Sequence, residues 1–458
     1  MLLQLFSIFS FAFLWIAVAR IGSMRPTYFL GFLIFFSIQY GPHTAVLPQF
    51  FEISKIADIP NAAHDYYVIV TSLCYLILAS LIATTPPSVL RCKNRFGDHP
   101  DKPRGQGLRI TIPAIALIAI SLSLPHSINI ISEHFSYFVG SSNYSYTDIR
   151  RDVFQGTTWS SFANAVRFAV IPLIGGGALL AALTVKSTAK KTFFFLLSAL
   201  LPLLTSIQLN KLFYAYYLLL YAYIYQCSRR GVPSFSAQLA RFSRDLWKIF
   251  LALCIGGFVL LALYYFQYSD SINDGTSNTA TLIKTLVYRV FFASADGLAA
   301  WINYFILVSE PIGLAGSGKL CTLLLSDCID IPLFTAIEII GSDKTSIQTG
   351  FMGSGISSFG LIGLILYLLV AYGAVFFNNA TLLRFQNSHY FPVLSGAMFL
   401  NSFFLTTVPT HTAMLSGGAI LTPLVALIIF GPFKRRRTQP LKAHRGTGSL
   451  KAFDKNIQ

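Results

Sequence analysis

Charged side chains are scarce in this sequence. They make up 11% of its 458 residues, whereas a soluble globular domain carries about a quarter. A chain of this length needs more polar surface in order to dissolve, which excludes a cytosolic enzyme. Its 54% of hydrophobic residues exclude a disordered chain and a collagen-like fibre. The mean hydropathy of +0.62 predicts a protein whose solvent is largely lipid.

Several catalytic and nucleotide-binding motifs are also absent. The sequence contains no Walker phosphate loop, no GxGxxG turn, no GxSxG nucleophile elbow and no HExxH helix. These absences remove ATP hydrolysis, dinucleotide chemistry and the common hydrolase classes from the leading functions. No Cys/His cluster has the spacing of a zinc site. We therefore expect neither a metal nor an organic cofactor.

Long apolar runs are what the sequence has instead. A membrane-spanning helix needs about 20 mainly apolar residues, with about 17 as the lower limit. By this measure the fold class is an all-α polytopic membrane protein with about eleven spans, in a range of about ten to thirteen. The segments are 2–19, 28–50, 66–85, 108–125, 164–185, 192–207, 211–227, 246–266, 356–377, 390–409 and 415–433.

Two apolar segments have a second interpretation. Residues 287–309 contain Arg289 and Asp296, and we predict an interfacial or re-entrant helix there, not a span. Segment 2–19 ends in Ala-Val-Ala, which resembles a signal-peptide cleavage site. It lacks a positive start and is followed at once by Arg20, so an uncleaved span is the better prediction.

The distribution of basic residues predicts the orientation of the chain. With eleven spans, four basic stretches fall on the same side: the connections 86–108, 186–191 and 228–245, and the tail 434–458. The positive-inside rule makes this side cytoplasmic. The N-terminus then lies outside, and the C-terminus lies inside.

The net charge can now be divided by side. The cytoplasmic side holds 25 basic and four acidic residues, net +21, and the outer side holds nine basic and 14 acidic residues, net −5, which restores the +16 of the whole chain. The inner charges are explained by topology and anionic lipid, or by a partner-binding tail. The basic balance therefore no longer suggests nucleic acid as a partner.

Two connections on the outer side are long. Residues 1–433 form a single membrane domain, and its outer connections 126–163 and 267–355 are rich in aromatic residues. These residues would either anchor the chain at the headgroup level of the membrane or stack on sugar rings. Cys321 and Cys328 lie in the second connection. In an oxidising compartment they could form a small disulfide loop, and otherwise they are two thiols.

Five of the few outer basic residues can reach the membrane–water interface. An Arg guanidinium fits phosphate oxygens with two parallel hydrogen bonds, so such a group predicts a site for an anion. Ordinary ion pairing is the alternative. Nearby carboxylates are candidates for a general base. The basic residues are Arg150, Arg151, Arg167, Lys211 and Arg289, and the carboxylates include Asp148 and Asp296.

A glycine-rich stretch precedes the ninth predicted span. Residues 348–363 contain five glycines, among them Gly350 and Gly353. Glycine allows the backbone to approach either a ligand or a neighbouring helix closely. Composition alone favours close helix packing.

Four short elements occur in a recognisable order. They are Tyr146-x-x-x-Arg150, Lys211 with the following Leu212-Phe213, Arg289-Val-Phe-Phe running on to Asn303-Tyr304-Phe305, and Thr349-Gly-Phe-Met-Gly running on to Phe359-Gly-Leu-Ile-Gly. In their order, and in their relation to two large outer loops, they resemble the elements of the Wzy-type O-antigen polymerases, which are oligosaccharide repeat-unit polymerases of Gram-negative bacteria. Ser354 stands where that family usually has an acidic residue.

The resemblance implies a GT-C-like fold and an inverting, metal-independent glycosyltransferase of the bacterial inner membrane. Its donor would be a glycan on undecaprenyl pyrophosphate, and its acceptor would be the next lipid-linked repeat unit, with the active site facing the periplasm. Cations would stabilise the departing pyrophosphate. A chain-length regulator and a flippase of the same pathway would be its partners. The implied site comprises Arg150, Arg289, Lys211, Asp148 and Asp296 for catalysis, and Arg151, Arg167, Tyr146, Tyr304, Gly350 and Gly353 for substrate binding.

Two other functions remain open. An O-antigen ligase would have a similar fold and similar arginines, but that family usually carries a His in the second large loop, and no His occurs here between His134 and His389. A lipid-linked oligosaccharide flippase would be expected to have more even loops, charged spans and repeat symmetry. The nearly uncharged spans and unequal outer loops favour the polymerase.

Overall fold

Helices account for nearly all of the described chain. The computed structural model describes residues 2–21, 27–46, 60–90, 106–123, 165–205, 211–230, 284, 287–316, 321, 328–341, 347–386 and 388–431. No β-strand occurs in this part of the chain, so the all-α prediction is confirmed there. The predicted span 246–266, the connection 126–163 and the tail 434–458 lie outside the described residues.

The helices follow the predicted segments closely. They are α1 (Leu2–Ala19), α2 (Tyr28–Tyr40), α3 (Asn61–Thr84), α4 (Gln106–Ser123), α5 (Val166–Thr184), α6 (Thr188–Thr205), α7 (Lys211–Arg230), α8 (Ala293–Val308), α9 (Ile331–Ile340), α10 (Gly350–Arg384), α11 (Phe391–Thr407) and α12 (Leu421–Phe430). Short helical turns lie at His43–Val46, Pro87–Leu90, Gly313–Gly316 and Thr410–Met414.

The surface of the bundle suits a lipid environment. Among the described residues, α1, α3, α5 and α10 are long and apolar enough to cross a membrane, and α2, α8, α11 and α12 are shorter apolar helices. Large apolar side chains face outward, such as Phe9 at 70% exposure and Ile428 at 80%, while many Ser, Thr and Asn side chains are buried. This distribution supports a membrane protein.

Several predicted boundaries differ from the helices, and three of them have a local cause. α2 ends at Tyr40, well before residue 50, because Gly41-Pro42 interrupts the backbone hydrogen bonding of the helix. α10 begins at Gly350 instead of 356, because the glycine-rich stretch is itself helical. α12 begins only at Leu421, after a turn in which Gly418 has φ +83°.

The apolar segment 287–309 packs into the bundle along part of its length. Residues 294–302 of α8 are buried and pack against α2, α3 and α10. Small residues such as Ala295 and Gly297 let the neighbouring helices approach on several sides. The last residues of α8 are more exposed, since Leu307 is 39% and Val308 is 72% exposed, and the interfacial or re-entrant helix stays a prediction.

The ends of several helices meet on one side of the bundle. Tyr217 near the start of α7 donates to the backbone carbonyl of Arg167 at the start of α5, at 3.1 Å. Phe168 of α5 packs on Phe404 of α11, with ring centroids 4.4 Å apart. We call this side the Arg167 end. At the opposite end, Tyr390 at the start of α11 packs on the last residue of α12.

The start of α10 and the end of α2 belong to the same end of the bundle. Tyr40 in α2 donates from its hydroxyl to the carbonyl of Thr406 in α11, at 3.0 Å. Gly350, the first residue of α10, lies against the same carbonyl. Since Thr406 is less than one turn from Phe404, α11 connects these helices to α5 and α7.

Helix α10 consists of two arms that fold against each other. The break is at Phe359-Gly360, where Gly360 has φ +62° and ψ −142°. Gly355 of the first arm lies against the backbone of Gly363 in the second arm. The break removes the helical donor of the Ser357 carbonyl, which accepts instead from the backbone N–H of Ile312 at 2.9 Å.

A disulfide closes part of the connection between α8 and α9. It joins Cys321 to Cys328, whose Cα atoms are 5.7 Å apart. Beside it, the backbone N–H of Ile329 donates to the carbonyl of Ala315 at 3.0 Å. The disulfide therefore closes the chain segment that follows the contact of Ile312 with α10.

We expect the double variant Cys321→Ser/Cys328→Ser to lose about 2.5 kcal/mol of stability, because a cross-link over so short a loop removes that much chain entropy from the unfolded state. The measurement is the thermal denaturation midpoint in detergent. Cys227→Ser, which removes a buried cysteine of α7, is the matched control. An unchanged midpoint in the double variant would contradict the stabilising role. Thiol labelling of native Cys328 without reductant would contradict the bond itself.

Candidate functional site

The structure describes part of the predicted site. Tyr146, Asp148, Arg150 and Arg151 lie outside the described residues. Lys211 is the first residue of α7, and its backbone alone is described. The predicted site residues with described positions are Arg167, Arg289, Asp296, Tyr304, Gly350 and Gly353.

Arg167 is buried in an irregular first turn of α5. Its exposure is 5%, which is rare for an arginine inside an apolar bundle. The turn Val166–Val170 is a π helix, in which the N–H of Ile171 donates to the carbonyl of Val166. Pro172 explains the irregularity because it has no N–H. It cannot donate to Phe168 in an α register or to Arg167 in a π register.

Side chains from two other helices supply the missing donors. The Tyr217 hydroxyl donates to the Arg167 carbonyl, and the Asn401 Nδ2 donates to the Phe168 carbonyl at 3.0 Å. Both carbonyls with which an N–H at position 172 could have paired thus accept hydrogen bonds from outside α5. The position of the Arg167 backbone is therefore determined by α7 and α11 as well as by its own helix.

Asn401 is a further residue of the site that the sequence interpretation did not identify. Its Nδ2 also donates to Thr422 Oγ1 at 2.8 Å, and its Oδ1 accepts from the Tyr216 hydroxyl at 2.9 Å. Asn401 thereby joins α5, α7, α11 and α12. An asparagine inside the apolar segment 390–409 is the signal that could have identified it, since such residues form hydrogen bonds between helices.

Asp296 is the other charged residue buried in the described part of the chain, with 4% exposure. It lies on α8 and interacts electrostatically with Tyr67 of α3. The hydroxyls of Tyr67 and Thr44 are 2.6 Å apart, which ties the start of α3 to the turn after α2. A buried carboxylate in a membrane bundle is a functional candidate by default.

Arg289 is exposed and lies in the helical turn just before α8. The ring of His43 packs edge-on against Phe291 and Phe292, with centroids 6.4 and 6.1 Å apart. His43 follows the end of α2, close to Tyr40, so this packing places Arg289 at the Arg167 end. Tyr304, further along α8, is half-buried, and its ring packs edge-on against Phe334 of α9.

The two predicted binding glycines are in contact with protein. Gly350 has φ +61°, and a Cβ there would lie 2.2 Å from the Thr406 carbonyl oxygen. A Cβ on Gly353 would lie 2.7 Å from Cε3 of Trp301 in α8. These contacts favour the helix-packing interpretation of the glycine-rich stretch over direct contact with a substrate.

Two of the four sequence elements pack side by side. α8 carries the Arg289 element, and the first arm of α10 carries the glycine-rich element. A Cβ on Gly297 would lie 2.7 Å from Ile347 and 3.1 Å from Thr349, and Trp301 meets Gly353 one turn further on. Residues distant in sequence are thus brought together at the end of the bundle where α5 and α7 begin.

This end of the bundle carries basic residues from three sequence elements. It holds a buried guanidinium (Arg167), an exposed one (Arg289) and a helix that begins with a lysine (Lys211). Within the described residues, no three His, Cys, Asp or Glu side chains come together as metal ligands.

Comparison with known proteins gives no relative. The chain matches no family model, no curated protein and no solved structure.

Proposed function

We propose that this chain polymerises lipid-linked oligosaccharide repeat units at the outer face of the bacterial inner membrane. The donor is a glycan on undecaprenyl pyrophosphate, and the acceptor is the next lipid-linked unit. The observation that carries the proposal is the gathering of basic residues from separate sequence elements at one end of an apolar-surfaced helical bundle. These residues are Arg167, Lys211 and Arg289.

The reaction explains why such cations are needed. An acceptor hydroxyl attacks the anomeric carbon of the donor, the bond from that carbon to the pyrophosphate oxygen breaks, and the configuration inverts. Negative charge develops on the pyrophosphate as it leaves, and preorganised donors directed at this charge lower the barrier. The exposed Arg289 would contact the pyrophosphate directly. The hydroxyl proton passes to a carboxylate, for which Asp296 is the buried candidate on α8.

The disulfide supports an outward orientation of the α8–α9 connection. Structural disulfides form and persist in oxidising compartments such as the bacterial periplasm. Cys321 and Cys328 lie in the connection that the positive-inside rule assigns to the same side. Two independent physical arguments thus support an outward orientation of this connection, which is the side on which we propose the active site.

Deleting the gene tests the proposal. We expect the lipopolysaccharide of the deletion strain to carry core plus a single repeat unit, because ligation continues without polymerisation. Bare core with polymer retained on the lipid carrier would indicate a ligase instead. Loss of all repeat units from the outer side of the membrane would indicate a flippase. An unchanged ladder would reject all three, and a plasmid copy of the gene that restores the ladder is the control.

A further inference from the structure

Burial of Arg167 has a structural cause. A π turn inserts one residue into a helix, which rotates the residues before it by about 100° relative to those after it. The π turn at Val166–Val170 therefore sets the direction in which Arg167 leaves α5, and the side chain there is 5% exposed. Without this turn the guanidinium would lie on a different face of the helix.

The π turn is held in place by groups outside α5. Pro172 has no N–H for the carbonyl of Phe168 in an α register or for that of Arg167 in a π register, and an unsatisfied buried carbonyl costs about 1–3 kcal/mol. Tyr217 and Asn401 satisfy them at 3.1 and 3.0 Å. Since these donors come from α7 and α11, the direction of Arg167 depends on the packing of three helices.

We infer that Tyr217 and Asn401 are positioning residues, which hold the π turn so that Arg167 binds the pyrophosphate of the lipid-linked substrate. The inference rests on the proposed function and names residues that none of the sequence elements contains. An Arg guanidinium binds phosphate oxygens through charge-assisted hydrogen bonds, whose strength depends on how the guanidinium is directed.

The test uses two tyrosines on the same helix. Tyr217→Phe removes the hydroxyl that bonds to the Arg167 carbonyl. Tyr221→Phe, one turn further on, removes a hydroxyl that bonds to the Ser198 carbonyl of α6 at 2.6 Å and does not touch the π turn. Both changes delete one hydrogen bond to a backbone carbonyl, which is buried for Tyr217 and partly buried for Tyr221. They should lower the thermal midpoint of the full-length protein in detergent by similar amounts.

The readout that separates positioning from stability is the affinity for undecaprenyl pyrophosphate in detergent micelles. We expect Tyr217→Phe to weaken binding about two- to tenfold, the equivalent of one hydrogen bond, and Tyr221→Phe to leave it unchanged. Arg167→Gln should weaken binding by at least about tenfold. Asn401→Leu should also weaken it, although the loss of its other bonds will lower stability as well.

The outcomes of the test are distinct. Equal affinities of Tyr217→Phe and Tyr221→Phe would overturn the positioning role, and so would wild-type affinity in Arg167→Gln. Absence of binding to the wild-type protein would overturn the inference as a whole. Arg167-dependent binding in a protein whose deletion leaves the polysaccharide ladder unchanged would support the inference while rejecting the proposed polymerase.

Discussion

Arg289→Ala should abolish long glycan chains without removing the protein from the membrane. The side chain is exposed, so truncation leaves no cavity, and we expect stability to change by less than about 0.5 kcal/mol. Loss of one preorganised donor to the developing charge lowers the rate about 100- to 1,000-fold. The measurement is the chain-length distribution of lipopolysaccharide, with membrane abundance of the variant determined in parallel.

Two further variants make this prediction specific. Arg289→Lys keeps the charge and loses the bidentate fork, so it should restore little of the polymer. Arg384→Ala removes an arginine from the last turn of α10 and should leave the ladder intact. Arg150→Ala, outside the described residues, should resemble Arg289→Ala. Normal ladders in both Arg150→Ala and Arg289→Ala would refute the assignment of these arginines to the pyrophosphate.

Gly350→Ala should destabilise the fold by about 3 kcal/mol or more. The residue has φ +61°, which costs an L-residue about 1–2 kcal/mol. In addition, the new Cβ would lie 2.2 Å from the Thr406 carbonyl oxygen, and backbone cannot move aside as a flexible side chain can. We expect a lower thermal midpoint in detergent and reduced abundance in membranes.

Two other glycines separate the causes of that loss. Gly313 has φ +63° with nothing within 4 Å of a Cβ, so Gly313→Ala should cost about 1–2 kcal/mol, the conformational strain alone. Gly373 lies within α10 with open space around it, and Gly373→Ala should be neutral or stabilising by up to about 1 kcal/mol. If Gly350→Ala proves no worse than Gly313→Ala, a Cβ at residue 350 does not clash with the Thr406 carbonyl.

Some residues of the candidate site could be predicted from the sequence, because charged residue types are recognisable without knowledge of the fold. Arg167, Arg289 and Asp296 were identifiable as unusual charges in or beside apolar segments, and that signal requires no contact information. Tyr217 and Asn401 were not identified, because a tyrosine or an asparagine in a span acquires its role from the carbonyl it meets on another helix. Pro172, which alters the hydrogen bonding of that carbonyl, is visible in the local sequence. The side chains that donate to the carbonyl lie on helices that are distant in the sequence.

The glycine-rich stretch shows the same division. Its composition predicted close approach of the backbone to something, and it left open whether that was a ligand or a helix. The contacts of Gly350 with Thr406 and of Gly353 with Trp301 identify the neighbours as α11 and α8. The break at Phe359-Gly360 was not predicted, because glycine permits such a turn and also tolerates a continuous helix.

The sequence by itself determined the class of protein and the approximate extent of its helices. Apolar runs of span length specify helices in lipid regardless of what packs beside them, because the backbone must satisfy its own hydrogen bonds there. Only the tertiary structure decided that α8 is buried in the bundle and that Arg167 and Arg289 share one end of it. Burial and proximity depend on which faces of distant helices meet, and a nearly uniformly apolar sequence carries little periodic signal to specify those faces.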